Sequence, residues 1–208
     1  EWLDRLPFDI YSVNVHTGAK RLIGRSYRTA PKWSVNGKWA VMYDPIAQVW
    51  NKFDGATGKV VNISDAIGYP MFMESYDKPA PAPAYGIAGW TADGNNVFLY
   101  DAYDWWKIDL TGERQPECLT KGYGRKHGKS IRKMTSNIDK DVFQKDEKVI
   151  VSLWDKDTMD EGVYQLDMKG RLRKLMEGNY VYTIHRFSDN HEYCVWNRQN
   201  VSEFRDLW

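Results

Sequence analysis

Twelve residues, WSVNGKWAVMYD from Trp33 to Asp44, return without a gap as WTADGNNVFLYD from Trp90 to Asp101. The match pairs Trp33 with Trp90, Gly37 with Gly94 and Asp44 with Asp101, at a constant offset of 57. Two looser copies follow, FQKDEKVIVSLWD from Phe143 to Asp155 and FSDNHEYCVWN from Phe187 to Asn197. The four lead residues are spaced 57, 53 and 44 apart. A repeat of this size is close to the roughly 40–50 residues of a propeller blade, and it restricts the chain to stacked supersecondary units that bury their apolar faces against one another.

A second pattern recurs between these copies. YSVNVHTG (Tyr11 to Gly18), WNKFDGATG (Trp50 to Gly58), WWKIDLTG (Trp105 to Gly112) and VYQLDMKG (Val163 to Gly170) each run through an apolar alternation into a turn glycine. Alternation of period two closing on Gly reads as strand, hairpin turn, strand. Asn36-Gly37 and Asp93-Gly94 suit a type I′ turn with both central residues at positive φ. The unit is therefore strand, NG or DG hairpin, strand, loop, strand, TG hairpin, strand.

These units predict an all-β chain forming a partial β-propeller, with about three complete four-stranded antiparallel blades and partial blades at both ends. The expected blades are residues 1–30 (second half), 31–67, 86–122, 140–178 and 179–208 (first half), all within a single partial propeller domain over 1–208. Residues 68–85, rich in Pro and Ala, read as a long inter-blade loop. With 10 Trp and 13 Tyr, the chain has the large flat side chains that pack between stacked sheets. Trp33, Trp90 and Trp154 are expected in that packing.

Charge supplies no partner. Lys+Arg at 29 against Asp+Glu at 28 leaves +1, without the basic excess that a nucleic acid or an anionic membrane calls for. No apolar run approaches the roughly 20 residues of a membrane helix, so no membrane span is expected. The sequence opens at EWLDRLPFDIYSV, without a basic-then-apolar export signal, as a processed protein would. Cys118 and Cys194 are far apart in sequence, and whether they pair is left open.

Motifs for chemistry fail on spacing. GRKHGKS, Gly124 to Ser130, ends like a phosphate-binding loop but leaves three residues before Gly128 where four are required, and it reads as a solvated basic loop. The surroundings of Ser26 and Ser130 lack the second glycine of a G-x-S-x-G elbow. His16, His127, His185 and His191 show no HxxxH or HExxH spacing. In DKDTMDEG, Asp155 to Gly162, Met159 stands where a calcium loop needs a third ligand. No catalytic residue, metal or cofactor is expected in this chain. Asn62-Ile63-Ser64 and Asn200-Val201-Ser202 are glycosylation sequons, meaningful only in a glycosylating pathway. Asp101, Asp104 and Asp155 are expected to hydrogen-bond at strand ends. For ligand contact the candidates are the aromatic and basic residues Trp105, Trp106, Tyr123 and Arg125.

The run from Ala84 to Lys126 contains YGIAGW, then YDAYDWWKIDLTG, then LTKGYGRK. In that order these strings resemble the propeller domain of bacterial serine peptidases of the prolyl oligopeptidase family, dipeptidyl peptidase IV-like members included. The resemblance is concentrated in this quarter of the chain and looser elsewhere. It implies a non-catalytic propeller that gates substrate access and docks peptides over a C-terminal α/β-hydrolase domain, the serine, aspartate and histidine of the triad lying outside these residues. It also implies a periplasmic or otherwise exported protein. No counterpart is found for the paired glutamates that hold the peptide amino terminus in dipeptidyl peptidases. The alternative is a free-standing propeller module that binds protein or glycan partners.

Overall fold

A computed structural model describes residues 6–134, 141–188 and 192–207. Among these residues five sheets follow one another. The first pairs β1 (Phe8–Val13) with β2 (Lys20–Tyr27). The second runs in order through β3 (Lys32–Trp33), β4 (Trp39–Asp44), β5 (Val49–Asp54) and β6 (Val60–Asn62). The third is built from β7 (Ile87–Thr91), β8 (Asn96–Tyr100), β9 (Trp105–Asp109) and β10 (Glu117–Cys118). A single helical turn, α1 (Tyr123–Lys126), leads to β11 (Lys129–Lys133), and β12 (Val142–Phe143) follows. The fourth sheet has the order β11, β13 (Lys148–Asp155), β14 (Glu161–Asp167), β15 (Leu172–Gly178). The fifth contains β16 (Val181–Phe187), β17 (Cys194–Gln199) and β18 (Asp206–Leu207).

The alternation of each strand is spent on two neighbours at once. In β4, Trp39, Val41 and Tyr43 join Trp90, Val97, Leu99, Ile108 and Leu110 in one core between the second and third sheets. The intervening Ala40 and Met42 pack with Ile10, Tyr27 and Phe53 between the first and second. In β8, Phe98 and Tyr100 turn the other way, onto Ile131, Phe143, Val151, Leu153 and Leu166 between the third and fourth. Sheets buried on both faces and stacked in sequence order are the blades of a partial β-propeller; among the described residues the second and fourth are four-stranded and antiparallel, the third adds β12 in parallel to its four antiparallel strands, and shorter sheets flank them. Each fully buried Val, Leu or Phe contributes roughly 1.5–3 kcal/mol through apolar area removed from water.

The repeated turns also lie against each other. Asn36 and Asp93 are equivalent positions of successive units, and Asn36 Nδ2 donates to the Asp93 carbonyl at 2.9 Å. A Cβ on Gly94 would stand 2.7 Å from the Asn36 nitrogen, so the close approach requires glycine there. These turns differ from the expected type I′. Only Gly37 and Gly94 have positive φ, 67° and 68°, while Asn36 and Asp93 do not. The Ser34 N–H to Trp39 carbonyl bond closes a four-residue loop around a Gly37-to-Ser34 turn, a length served by an ordinary turn ending in a left-handed glycine.

Three other expectations need correcting. Trp90 is buried at 5% exposure, but its repeat equivalent Trp33 is 53% exposed and Trp154 is 41% exposed. Trp90 in β7 faces the complete second sheet. Trp33 in β3 faces the first sheet, which among the described residues is formed by β1 and β2, and its ring meets Phe53 edge-on at 6.3 Å. Phe143 does not open the fourth sheet. It pairs in parallel with Thr91 of β7, and a Cβ on Gly89 would press on its ring at 2.5 Å. The first strand of the fourth sheet is β11, so the tail of GRKHGKS is not solvated loop. Ser130 and Ile131 are buried there, in register with Trp154 and Leu153.

The Pro/Ala-rich segment is irregular, as expected, but pinned. Its arms meet through a bridge between Phe72 and Ala84, and Met71 is buried in the core between the second and third sheets. Cys118 and Cys194 are both free thiols. No helix among the described residues is long and apolar enough to cross a membrane.

Candidate functional site

Two of the four candidate contact residues, Trp106 and Arg125, meet at one loop end of the third sheet, where two buried carboxylates hold them. Between β8 and β9 the chain reverses over Asp101–Asp104. Asp101 Oδ1 accepts the N–H groups of Tyr103 at 2.7 Å and Asp104 at 2.6 Å, which forms the turn and leaves Oδ2 free. That oxygen accepts the Trp106 indole N–H at 3.0 Å and Arg125 Nη2 at 2.8 Å.

Asp104 fixes the other side. Its Oδ1 accepts the Thr120 hydroxyl at 2.6 Å and the Gly124 N–H at 2.9 Å, and its Oδ2 accepts the Arg125 N–H at 3.0 Å. The first turn of α1 is thereby tied to the sheet. A Cβ on Gly124 would meet the Tyr103 carbonyl oxygen at 2.7 Å, so helix and turn touch backbone to backbone. Both carboxylates are almost fully removed from water, which a charge tolerates only when its lone pairs are taken up this completely.

Arg125 is the half-buried member. Its guanidinium lies 3.8 Å from the Tyr69 ring centre and 5.0 Å from that of Tyr103, and Lys156 Nζ stands 4.0 Å over Tyr103. Tyr69 also meets Trp106, with centres 6.0 Å apart. Burial pulls the Arg125 pKa down, but the bond and charge of Asp101 outweigh it and leave the guanidinium above its ordinary range. The result is a surface of neighbouring rings carrying two cations, suited to hydrogen bonding and cation–π contact.

Trp106 and Arg125 belong to this surface; the Tyr123 ring instead meets His127, tilted by 38° with centres 4.4 Å apart. Trp105 points the opposite way. It is fully buried, donates Nε1–H to the Ile131 carbonyl at 3.2 Å and packs on Tyr100 and Phe143. Its role in the structure is the core between the third and fourth sheets. Asp155 spends Oδ1 on the N–H groups of Asp157 and Thr158, as a turn residue does. His185 pairs with Asn197, and His191 lies outside the described residues. Among the described residues no cluster of three His, Cys, Asp or Glu could hold a metal ion.

Sequence reasoning missed Tyr69, Tyr103, Lys156 and above all Arg132. The Arg132 guanidinium donates to the carbonyls of Ile131 at 2.8 Å and Asp101 at 2.6 Å and lies 4.7 Å from the Tyr100 ring centre. Burial lowers its pKa, and Tyr100, whose hydroxyl is pushed up to about 12 by the same burial, remains neutral beside it. No spacing in the sequence marks this pair; the close approach of β11 to the 101–104 turn, where the Ile131 N–H donates to the Tyr103 carbonyl at 2.8 Å, creates it.

Comparison with known proteins adds the following. No protein-family model matches the chain, and no curated protein matches it. Among solved structures it is similar to TolB from Acinetobacter baumannii, at 15% identity and TM-score 0.46, over 96% of this chain and 50% of that one. It is also similar to Kuenenia stuttgartiensis hydrazine synthase (15%, TM-score 0.47, 94% and 51%). A third is a calcium-binding protein, regucalcin, from Agrobacterium tumefaciens (10%, TM-score 0.39, 86% and 57%). The chain spans about half the length of the first two.

Proposed function

We propose that these 208 residues are the non-catalytic propeller portion of a prolyl oligopeptidase-family serine peptidase, gating access and docking peptides over an α/β-hydrolase domain outside the chain. One observation carries the reading. The family-like run from Ala84 to Lys126 is also the stretch whose residues converge, with Asp101 and Asp104 holding Trp106 and Arg125 as one fixed surface at a loop end. Loops presented by a rigid scaffold are where binding residues concentrate. Stacked rings suit the flat faces of proline and peptide groups, and Arg125 and Lys156 suit peptide carbonyl or carboxylate oxygens. An exported, periplasmic location goes with the family resemblance.

The test has two arms. The chain alone should hydrolyse no chromogenic peptide and take no label from a fluorophosphonate serine probe; labelling would place the chemistry here and end the proposal. Proline-containing peptides should perturb tryptophan fluorescence saturably, and Arg125→Ala should weaken that response about tenfold, the scale of one lost charge-assisted bond. Binding to unrelated proteins or glycans with no response to peptides would favour the free-standing module.

A further inference from the structure

At the boundary of the second and third sheets, a cleft of about 420 Å³ opens between β4, β5, the start of β7 and the Pro/Ala-rich segment. That size falls in the roughly 300–1,000 Å³ range of small-ligand sites. Its floor is aromatic: Tyr43 and Trp50 are buried, with ring centres 5.5 Å apart. Its outer wall is the segment 68–85, supplied through Tyr76, Pro81 and Pro83. This wall is fixed rather than collapsed onto the floor. The Tyr43 hydroxyl donates to the Ala82 carbonyl at 3.0 Å, and the Met73 N–H donates to the Pro83 carbonyl at 2.8 Å.

The charge on its lining is of one sign. Arg28 and Lys32 line the cleft, and no Asp or Glu does. Neither cation has an ion-pair partner among the described residues. Asp44, next to Tyr43 in the chain, turns its Oδ1 to the N–H groups of Ile46 and Ala47 instead. In the floor, the Trp50 indole N–H is buried without an acceptor, the one buried side-chain donor so placed among the described residues. Such a group is costly to leave unpaired, and proteins retain few of them.

An apolar, ring-floored slot lined by two cations without ion-pair partners and by no competing acid matches a molecule with an apolar body and a terminal carboxylate. Arg can clamp the carboxylate in bidentate fashion while Lys adds charge. A phosphate group would gain the cations but would leave the aromatic floor unfilled. We infer that the cleft binds an aryl or branched alkyl group ending in a carboxylate, whether a small organic acid or the C-terminal residue of a peptide. This site is separate from the Asp101–Arg125 surface and does not depend on the peptidase reading.

Calorimetric titration of the full chain tests it. The probes are 4-phenylbutyrate, its neutral amide, and a short peptide ending in Phe with a free or an amidated C-terminus. Saturable binding of 4-phenylbutyrate is expected, about tenfold or more weaker for the amide. Arg28→Glu with Lys32→Glu should lose at least as much while keeping the wild-type thermal midpoint, and Arg28→Lys with Lys32→Arg should stay within a few-fold. A free-carboxylate peptide that binds more tightly than 4-phenylbutyrate assigns the ligand to polypeptide ends; the reverse order assigns it to small acids. Absence of saturation by every acid up to millimolar concentration, equal binding of acid and amide, or indifference to charge reversal in a folded variant would overturn the inference.

Discussion

Asp101→Asn changes one oxygen to an NH₂ group, and its cost follows from the bonds around that carboxylate. All four recorded partners of the two oxygens are donors: the N–H groups of Tyr103 and Asp104 on one, Trp106 and Arg125 on the other. Either orientation of the amide therefore sets an NH₂ against two N–H donors. The favoured orientation keeps the turn and gives up the Arg125 and Trp106 bonds. A charge-assisted bond is worth about 1.5–3 kcal/mol and a neutral one about 1. Asp101 is fully buried and the Arg125 side chain is 32% exposed, so the loss approaches that of a broken buried pair, roughly 3 kcal/mol. For a chain of this length that lowers Tm by about 6–12 °C, read by circular dichroism or calorimetry. A double-mutant cycle with Arg125→Ala isolates the pair, because Arg125→Ala should cost far less once Asp101 is Asn, giving a coupling of about 1–3 kcal/mol. Additive costs, or an Asp101→Asn penalty below about 1 kcal/mol, would refute the claim that this carboxylate holds the surface together.

Two further outcomes are expected. Trp90→Ala should cost about 3–5 kcal/mol and Trp33→Ala less than about 1.5, since only Trp90 empties a closed core; equal costs by urea unfolding would contradict the inter-sheet packing described for β7. Glu177 is held down to about 2, from an ordinary value of 4.5, first by the Lys129 hydrogen bond and then, against burial, by Lys174, and the same contact raises Lys129. Its folded pKa lies below the unfolded one, so the stabilisation is present above pH 4.5 and fades as the pH falls toward 2. With both side chains partly in water, roughly 1–2 kcal/mol of acid sensitivity should vanish in Glu177→Gln; an unchanged pH–stability profile would exclude the pair as its source.

The architecture was legible because the repeat carries its own geometry. A 57-residue offset that preserves Trp, Gly and Asp leaves room for one unit shape, and the period-two alternation assigns Val97 and Leu99 to one neighbour and Phe98 to the other. What stayed hidden depends on partners remote in sequence. Trp33 and Trp90 share a motif position, but they face different sheets, two-stranded for Trp33 among the described residues and four-stranded for Trp90, and their burial differs accordingly. KSIRK, with one aliphatic residue in five, has no alternation to betray a strand, and its register against β13 is what buries Ile131. At the candidate surface, Trp106 and Arg125 were legible as aromatic and basic loop residues. Tyr69 was not, since it arrives from the Pro/Ala-rich segment and meets Arg125 only in three dimensions.

The strand β12 is a cross-stitch. By chain order it precedes β13 of the fourth sheet, yet the Trp90 N–H donates to the Asp141 carbonyl at 2.7 Å and the Ala92 N–H to that of Phe143 at 3.0 Å, both on the edge of the third. A fluctuation that lifts the fourth sheet away must also rip this seam, so neighbouring blades are obliged to melt in company instead of peeling off singly. Amide exchange at Trp90 and Ala92 would then keep time with the sheet they do not belong to.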